Sequence, residues 1–285
     1  MSRTKLLLRS AKLDAWTIRS PLLSRREKIA FLGNKYALLA RHAVRPFNFG
    51  HDWTDFDGRQ FYYESPYGLA SLQGTLTSHM GALREGGAAD IRTVVDVGAN
   101  VGTFAIAARR AYPAAQVHCC EPVPEVADVL ERNVRGDQHV KVHRVALSSK
   151  SGTAHMTYDP GHSLISQLDD AGPLRVAVTT LDELADSQKI DVIDLLKIDT
   201  ETFEAEVLDG AVVSLSATRY LFIEITVEGN PRYTVSSLLG RLSSDTYDFQ
   251  LIAARNWSGR SEGPVPIMDA LFVNTRPVIN RSAVR

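Results

Sequence analysis

Cysteine is nearly absent from this chain of 285 residues: only Cys119 and Cys120 occur, side by side. Neighbouring cysteines rarely meet disulfide geometry, and two thiols alone do not make a zinc site. A disulfide scaffold is therefore excluded, and a reducing cytoplasm fits. No stretch approaches the roughly 20 uninterrupted apolar residues of a membrane-spanning helix; the leucine run near the start covers only Leu6 to Leu8. Ser24-Arg25-Arg26 has the look of a twin-arginine export signal. Lys35 and Arg41 interrupt what should be its apolar stretch, however, and no small-residue cleavage site follows. No large charge excess exists either: the formal net charge is −1, with 44% hydrophobic and 23% charged residues. That balance excludes wholesale disorder, collagen-like repeats and coiled coils.

The near-zero total hides an asymmetry. Residues 1–50 carry eleven Lys and Arg against Asp14 and Glu27, so this stretch holds +9 and the remainder −10. Within 1–46 the basic residues alternate with leucines and aromatics in a pattern that predicts two or three short amphipathic helices broken at Pro21 and Gly33. This arm is expected to pack on its own domain or across a homo-oligomer interface. The competing reading is a peripheral contact with anionic membrane lipid. Residues 47–90 hold aromatic and glycine-rich turns and a polar helix candidate near 69–85, closing in the linker Gly86-Gly87-Ala88-Ala89; they read as a segment covering a substrate or cofactor.

A module spanning 91–275 follows, with a tail at 276–285. Apolar and β-branched runs at Thr93–Val97, Gln116–Cys120, Val140–Leu147, Val192–Ile198 and Tyr220–Ile225 are interleaved with helix-like segments at 103–112, 124–135 and 203–216. Two further strand candidates, Phe249–Ala253 and Leu271–Asn274, follow a helix candidate at 234–243. This alternation predicts an α/β fold, a doubly wound, seven-stranded, mostly parallel sheet with an antiparallel edge. The insertion at 148–191 leaves the carboxyl end of the third strand, the side where such sheets meet substrate.

The sharpest motif is VVDVGANVGTF at 94–104, in which a buried strand ends in a carboxylate and Gly98-x-Asn100-x-Gly102 opens a helix. Such a turn lets a ligand approach the backbone closely. A dinucleotide fingerprint would place glycines at Asn100 and Thr103, and Asp96 would repel a pyrophosphate but attract an ammonium group. A nicotinamide-dependent oxidoreductase is thereby weakened and a cationic, phosphate-free nucleoside favoured. S-adenosylmethionine has those features. Glu121, 23 residues after Gly98 and directly after QVHCC, is placed to accept hydrogen bonds from two vicinal ribose hydroxyls. Ala99, Thr103 and Pro122 flank these positions, and Ala146 and Leu147 at the third strand's end complete the candidate cofactor set. The second motif, IDLLKIDTETFEAEVLDGA at 193–211, places Lys197 and Asp199 on one face of a strand end. Asp199 is expected near the methyl donor, and Glu204 and Glu206 are read as first-turn acids that favour the helix dipole.

The ordered blocks DVGANVGTF, CEPVPEVADVLERNV, HRVALSSKSG, VTTLDEL, LLKIDTETFEAEVLDGA and YLFIEI resemble the FkbM-type S-adenosylmethionine-dependent methyltransferases over roughly residues 90–275. The resemblance implies a class I, Rossmann-like methyltransferase fold and transfer of a methyl group to a hydroxyl of a sugar, glycan or polyketide-like small molecule. It assigns Asp96, Gly98, Asn100 and Gly102 to the methionine portion, Glu121 and Pro122 to the ribose, and Lys197, Asp199 and Glu201 to the reaction centre. One departure stands out: Thr202 occupies the position that is usually glycine in the family pattern Asp-x-Glu-Gly-x-Glu. Candidate bases are Asp199, Glu201, Glu224 and His162, the last in the Pro-Gly-His-Ser loop of the insertion; His118 and His143 read as structural. No dedicated metal motif is present, and a divalent ion on Asp199, Glu201 or Glu224 is an alternative way to acidify the hydroxyl. A nucleic-acid partner is not expected where the residues beyond 50, which hold the module, carry −10. A non-catalytic membrane-surface adaptor with the same fold is the remaining alternative.

Overall fold

The structure, a computed structural model, describes residues 14–15, 17–21, 23–63, 68–158, 167–168, 172–258 and 266–283. Helix α1 (Arg25–Val44) is opened by a capping box between Ser24 and Glu27 and buries Phe31, Lys35 and Leu38. It runs through Gly33 without a break. A glycine inside a helix costs about 1 kcal/mol relative to alanine, and the buried aromatic and leucine on either side offset it, so a single long helix replaces the expected break at this position. The described arm residues pack on the body: Lys35 Nζ, almost fully buried, lies 2.6 Å from Asp14 Oδ1 and donates to Gln73 Oε1 at 2.9 Å, and Arg110 pairs with Glu27 and Asp57. No helix among the described residues is long and apolar enough to cross a membrane.

A hairpin of β1 (Trp53–Phe56) and β2 (Arg59–Tyr62) leads to the helical stretch α2 (Gly68–Gly74), a π-turn at Thr75–His79, and α3 (Met80–Glu85). The main sheet then begins with β3 (Thr93–Val97), α4 (Thr103–Ala111), β4 (Gln116–Cys120), α5 (Pro124–Asn133) and β5 (Val140–His143). The chain turns out of this sheet at residues 144–145, so the expected single strand 140–147 is divided, and β6 (Ala146–Leu147) joins a second sheet with β7 (Gly152–Thr157), β8 (Gln167–Leu168) and β9 (Leu174–Thr179) in the order β6-β9-β7-β8. This small sheet is the insertion. Helix α6 (Leu181–Gln188) returns the chain to β10 (Ile193–Ile198), followed by α7 (Glu204–Asp209), α8 (Val212–Ser216), β11 (Thr218–Thr226), α9 (Val235–Leu239), β12 (Phe249–Ser258) and β13 (Ile267–Asn274).

The seven strands lie in the order β12-β13-β11-β10-β3-β4-β5, with β3, β4, β5, β10 and β11 mutually parallel and β13 antiparallel to both its neighbours. The reversed strand is thus the penultimate one and not the edge. The hairpin folds back so that β13 enters between β11 and β12. Strand alternation divides the core: Val94 and Leu195 join one apolar cluster, and Val95 and Leu196 the other, across the sheet. Chain order reverses between β3 and β10. A crevice opens at the carboxyl ends of those strands, where doubly wound sheets bind their ligands.

Candidate functional site

The crevice is built first from the turn after β3. Gly98, Asn100 and Gly102 all have positive φ, at 72°, 49° and 89°. At Gly98 the requirement is absolute, because a Cβ would lie 1.9 Å from the Asp199 carbonyl oxygen. Bare backbone here lets the ends of β3 and β10 close on each other. The Gly98 and Ala99 N–H groups donate to the Cys120 carbonyl at 3.1 and 3.0 Å, which fixes the turn against β4.

Glu121 holds the two turns together. Its Oε2 accepts from Asn100 N at 3.0 Å and its Oε1 from Val123 N at 2.9 Å. Each carboxylate oxygen has a second lone pair, which leaves capacity for hydroxyl donors from the crevice. Burial pushes its pKa up to about 7, against the two backbone donors that favour the ionised form.

The third contributor is β10. Lys197 pairs in register with Asp96 across β3, and its Nζ lies 3.1 Å from Asp96 Oδ1 and 3.5 Å from Asp199 Oδ2 while donating to the Gly98 carbonyl at 2.8 Å. Burial opposes the ammonium charge, yet Asp96 and Asp199 together hold its pKa above the ordinary lysine value. Asp96 is fully buried, and desolvation raises its pKa despite Lys197. The two therefore form one buried ion pair, with Lys197 as its crevice-facing member.

The turn after β10 carries strain. Glu201 and Thr202 have φ of 52° and 93°, so the chain adopts a glycine conformation with a β-branched residue in place. Glu204 makes this tolerable: its Oε1 accepts from Thr200 N, Thr200 Oγ1 and Thr202 N at 3.0–3.1 Å, and its Oε2 accepts from the Tyr233 hydroxyl at 2.8 Å. It scaffolds the turn from the first turn of α7, where Glu206 also lies. Beyond the turn, Asp199, Glu201 and Glu224 gather with one carboxylate oxygen each within 4.8 Å of the others. Burial, reinforced by Asp199, pushes Glu201 up to about 8 and Glu224 up to about 10.

Among the residues expected from sequence, Gly98, Ala99, Asn100, Thr103, Glu121, Pro122, Ala146, Leu147, Lys197, Asp199 and Glu201 line the crevice. Gly102 and Asp96 lie behind its wall, the former packed on Leu130 and the latter beneath Lys197. Glu224 reaches the site through the carboxylate cluster. His162 lies outside the described residues. His118 and His143 stack on each other with ring centroids 5.3 Å apart, away from the crevice wall. Sequence reading missed His79, which lines the crevice from the π-turn with Ser71 and Thr75. Its Nε2 lies 3.1 Å from Asp269 Oδ2 on β13, and its ring packs on Phe222. Asp269 stands opposite Glu224 in the β11–β13 register. No motif surrounds His79; only its place on a helix covering the crevice marks it, and a π-turn has no sequence signature.

With this geometry established, comparison with known proteins gives a consistent picture. The model of the methyltransferase FkbM domain matches residues 96–250. Methyltransferase sdnD of Sordaria araneosa is 33% identical over 153 residues, covering 41% of this chain and 59% of that protein. The 31-O-demethyl-FK506 methyltransferase FkbM of Streptomyces tacrolimicus is 30% identical over 151 residues, covering 41% and 58%. The hexuronic acid methyltransferase AglP of Haloferax volcanii is 29% identical over 155 residues, covering 53% and 62%. The chain thus spans about three fifths of the length of these curated relatives. The matched segment runs from Asp96 through the Asp199 turn and the carboxylate cluster to the start of β12, and the chain belongs to the FkbM methyltransferase family.

Proposed function

We propose that this protein binds S-adenosylmethionine in the β3–β10 crevice and methylates a hydroxyl of a small-molecule or glycan acceptor. The observation that carries the reading is Glu121, a buried carboxylate with both oxygens tied to backbone N–H groups and lone pairs left for ribose hydroxyls. The donor set suits that cofactor: Glu121 for the diol, the Gly98–Asn100 turn for close backbone approach, and Asp199 for a cationic group. When bound, S-adenosylmethionine supplies a methyl group activated on a sulfonium.

The chain's own residues then have three tasks. The turn and Glu121 hold one reactant, so that acceleration comes largely from alignment. Lys197 holds Asp199 in place through the contact at 3.5 Å. The cluster of Asp199, Glu201 and Glu224 takes the acceptor's proton. A base poised near neutrality contributes roughly 10²- to 10⁴-fold; Glu201, pushed up to about 8, is the member nearest that range, and Glu224, pushed up to about 10, stays protonated beside it. Among the described residues they also form the only group spaced to hold a metal ion. We assign them to proton transfer because the Lys197 ammonium already supplies a compensating cation beside Asp199.

In domain terms, residues 91–275 act as the catalytic module, 47–90 as its cover and 1–46 as an N-terminal arm, with 276–285 as a tail. The names of two relatives, one for 31-O-demethyl-FK506 and one for hexuronic acid, direct the acceptor search to natural-product and sugar hydroxyls. Labelled S-adenosylmethionine incubated with fractionated glycans, lipids and small metabolites is the test of acceptor class, and isothermal titration with S-adenosylhomocysteine is the test of the cofactor. Absence of S-adenosylhomocysteine binding by the folded chain would refute the reading.

A further inference from the structure

We infer that a cleft on the outer side of the helix covering the crevice is a separate site for a phosphate or phosphate-ester group. The stretch from α2 through the π-turn to α3 presents Ser71, Thr75 and His79 to the crevice. Its opposite side, from Leu76 to Glu85, forms one wall of a cavity of about 290 Å³, with Arg19 and Ser20 on a second wall and Arg255 of β12 on a third. That space is many times the roughly 10–15 Å³ needed to hold one water, enough for a phosphate and the start of its ester substituent.

The charge on this cleft is one-sided. Arg19, Arg84 and Arg255 line it against a single carboxylate, Glu85, which is already paired with Arg255. Arg19 and Arg84 are exposed and have no ion pair or side-chain hydrogen bond among the described residues. Two planar guanidinium forks and a surplus of two positive charges suit a dianionic, multi-oxygen group better than a single carboxylate. The floor is open as well: a Cβ built on Gly81 would meet nothing within 4 Å. One stretch of helix separates the two ligand positions, so a phosphate-bearing molecule would bind behind the wall that faces the acceptor.

The full chain is titrated at constant ionic strength with inorganic phosphate and with glycerol 3-phosphate. In parallel it is co-sedimented with phosphatidylcholine vesicles with and without phosphatidic acid. The expected result is one-to-one binding that weakens roughly tenfold or more in the double variant Arg19→Gln/Arg84→Gln. Gly81→Leu, which fills the cleft without changing charge and suits a helix, should weaken it similarly, with S-adenosylhomocysteine affinity unchanged in both. Binding of the soluble phosphates marks a free phosphate ester as the ligand; binding of phosphatidic-acid vesicles alone marks a lipid headgroup. The inference is overturned if the wild-type chain binds none of these probes, or if both variants bind them as tightly as wild type.

Discussion

Protonation of Glu121 should control cofactor affinity. Burial pushes this carboxyl up to about 7, whereas ribose hydroxyls are best accepted by the ionised form. Binding must therefore displace a proton, and apparent affinity follows the ionised fraction. With a pKa of about 7, that fraction is roughly one tenth at pH 6 and nine tenths at pH 8, which predicts roughly tenfold tighter S-adenosylhomocysteine binding at the higher pH. The sign for folding is opposite. A carboxyl whose folded pKa lies above its unfolded value contributes stability that is present at low pH and is lost as pH rises from about 4.5 to about 7. The ligand-free chain should thus lose some stability over that window while the ligand-induced rise in melting temperature grows. Titration calorimetry in two buffers of different ionisation enthalpy, at pH 6, 7 and 8, measures both affinity and proton release. Glu121→Gln should bind about 10- to 100-fold more weakly at pH 8, given about 1.5–3 kcal/mol for a hydrogen bond to a charged group, and should lose most of the tenfold gain between pH 6 and 8. An affinity flat between pH 6 and 8, with no proton released by the wild-type chain, would sink the argument.

Other substitutions test the frame of the crevice. Thr202→Gly should stabilise the protein by about 1 kcal/mol, because relief of a β-branched residue at φ 93° outweighs the added unfolded-state entropy; a melting temperature raised by about 2–4 °C is expected, and a fall would contradict the strain assignment. Gly98→Ala should cost far more than Gly102→Ala in both stability and S-adenosylhomocysteine affinity. The first Cβ meets the Asp199 backbone oxygen at 1.9 Å, whereas the second meets the movable end of Leu130 at 2.5 Å; equal effects in thermal unfolding and calorimetry would reject that ranking. Asp96→Asn leaves Lys197 buried without its main counter-ion and should destabilise the fold by about 3–5 kcal/mol, read by urea denaturation, with a loss under 1 kcal/mol refuting the buried-pair description.

Much of the module was legible beforehand because its signals are local. Thr93–Val97 and Gln116–Cys120 have the strand bounds read from their apolar runs, and Pro124 marks the start of its helix at the first helical position. The Gly-x-Asn-x-Gly turn needs positive φ at three positions, and those residue types reveal it. Long-range choices were not legible. Gly33 looked like a helix breaker until the packing of Phe31 and Leu38 outweighed its local cost. The run 140–147 read as one strand although Ala146 and Leu147 pair with β9, a partner some thirty residues away. The reversed strand was expected at the edge, and only the β11–β13 register placed it one position inward.

The sequence alone determined the alternating strand and helix order, the glycine turn and the presence of carboxylates at three strand ends, because each is written within a dozen residues. Tertiary structure decided which of those charges meet. Asp96 sinks under Lys197, Glu201 and Glu224 are pressed together until their pKa values rise, and His79 arrives from a segment with no motif at all. Burial and pairing belong to neighbours brought together by the fold, and a linear chain does not name its neighbours.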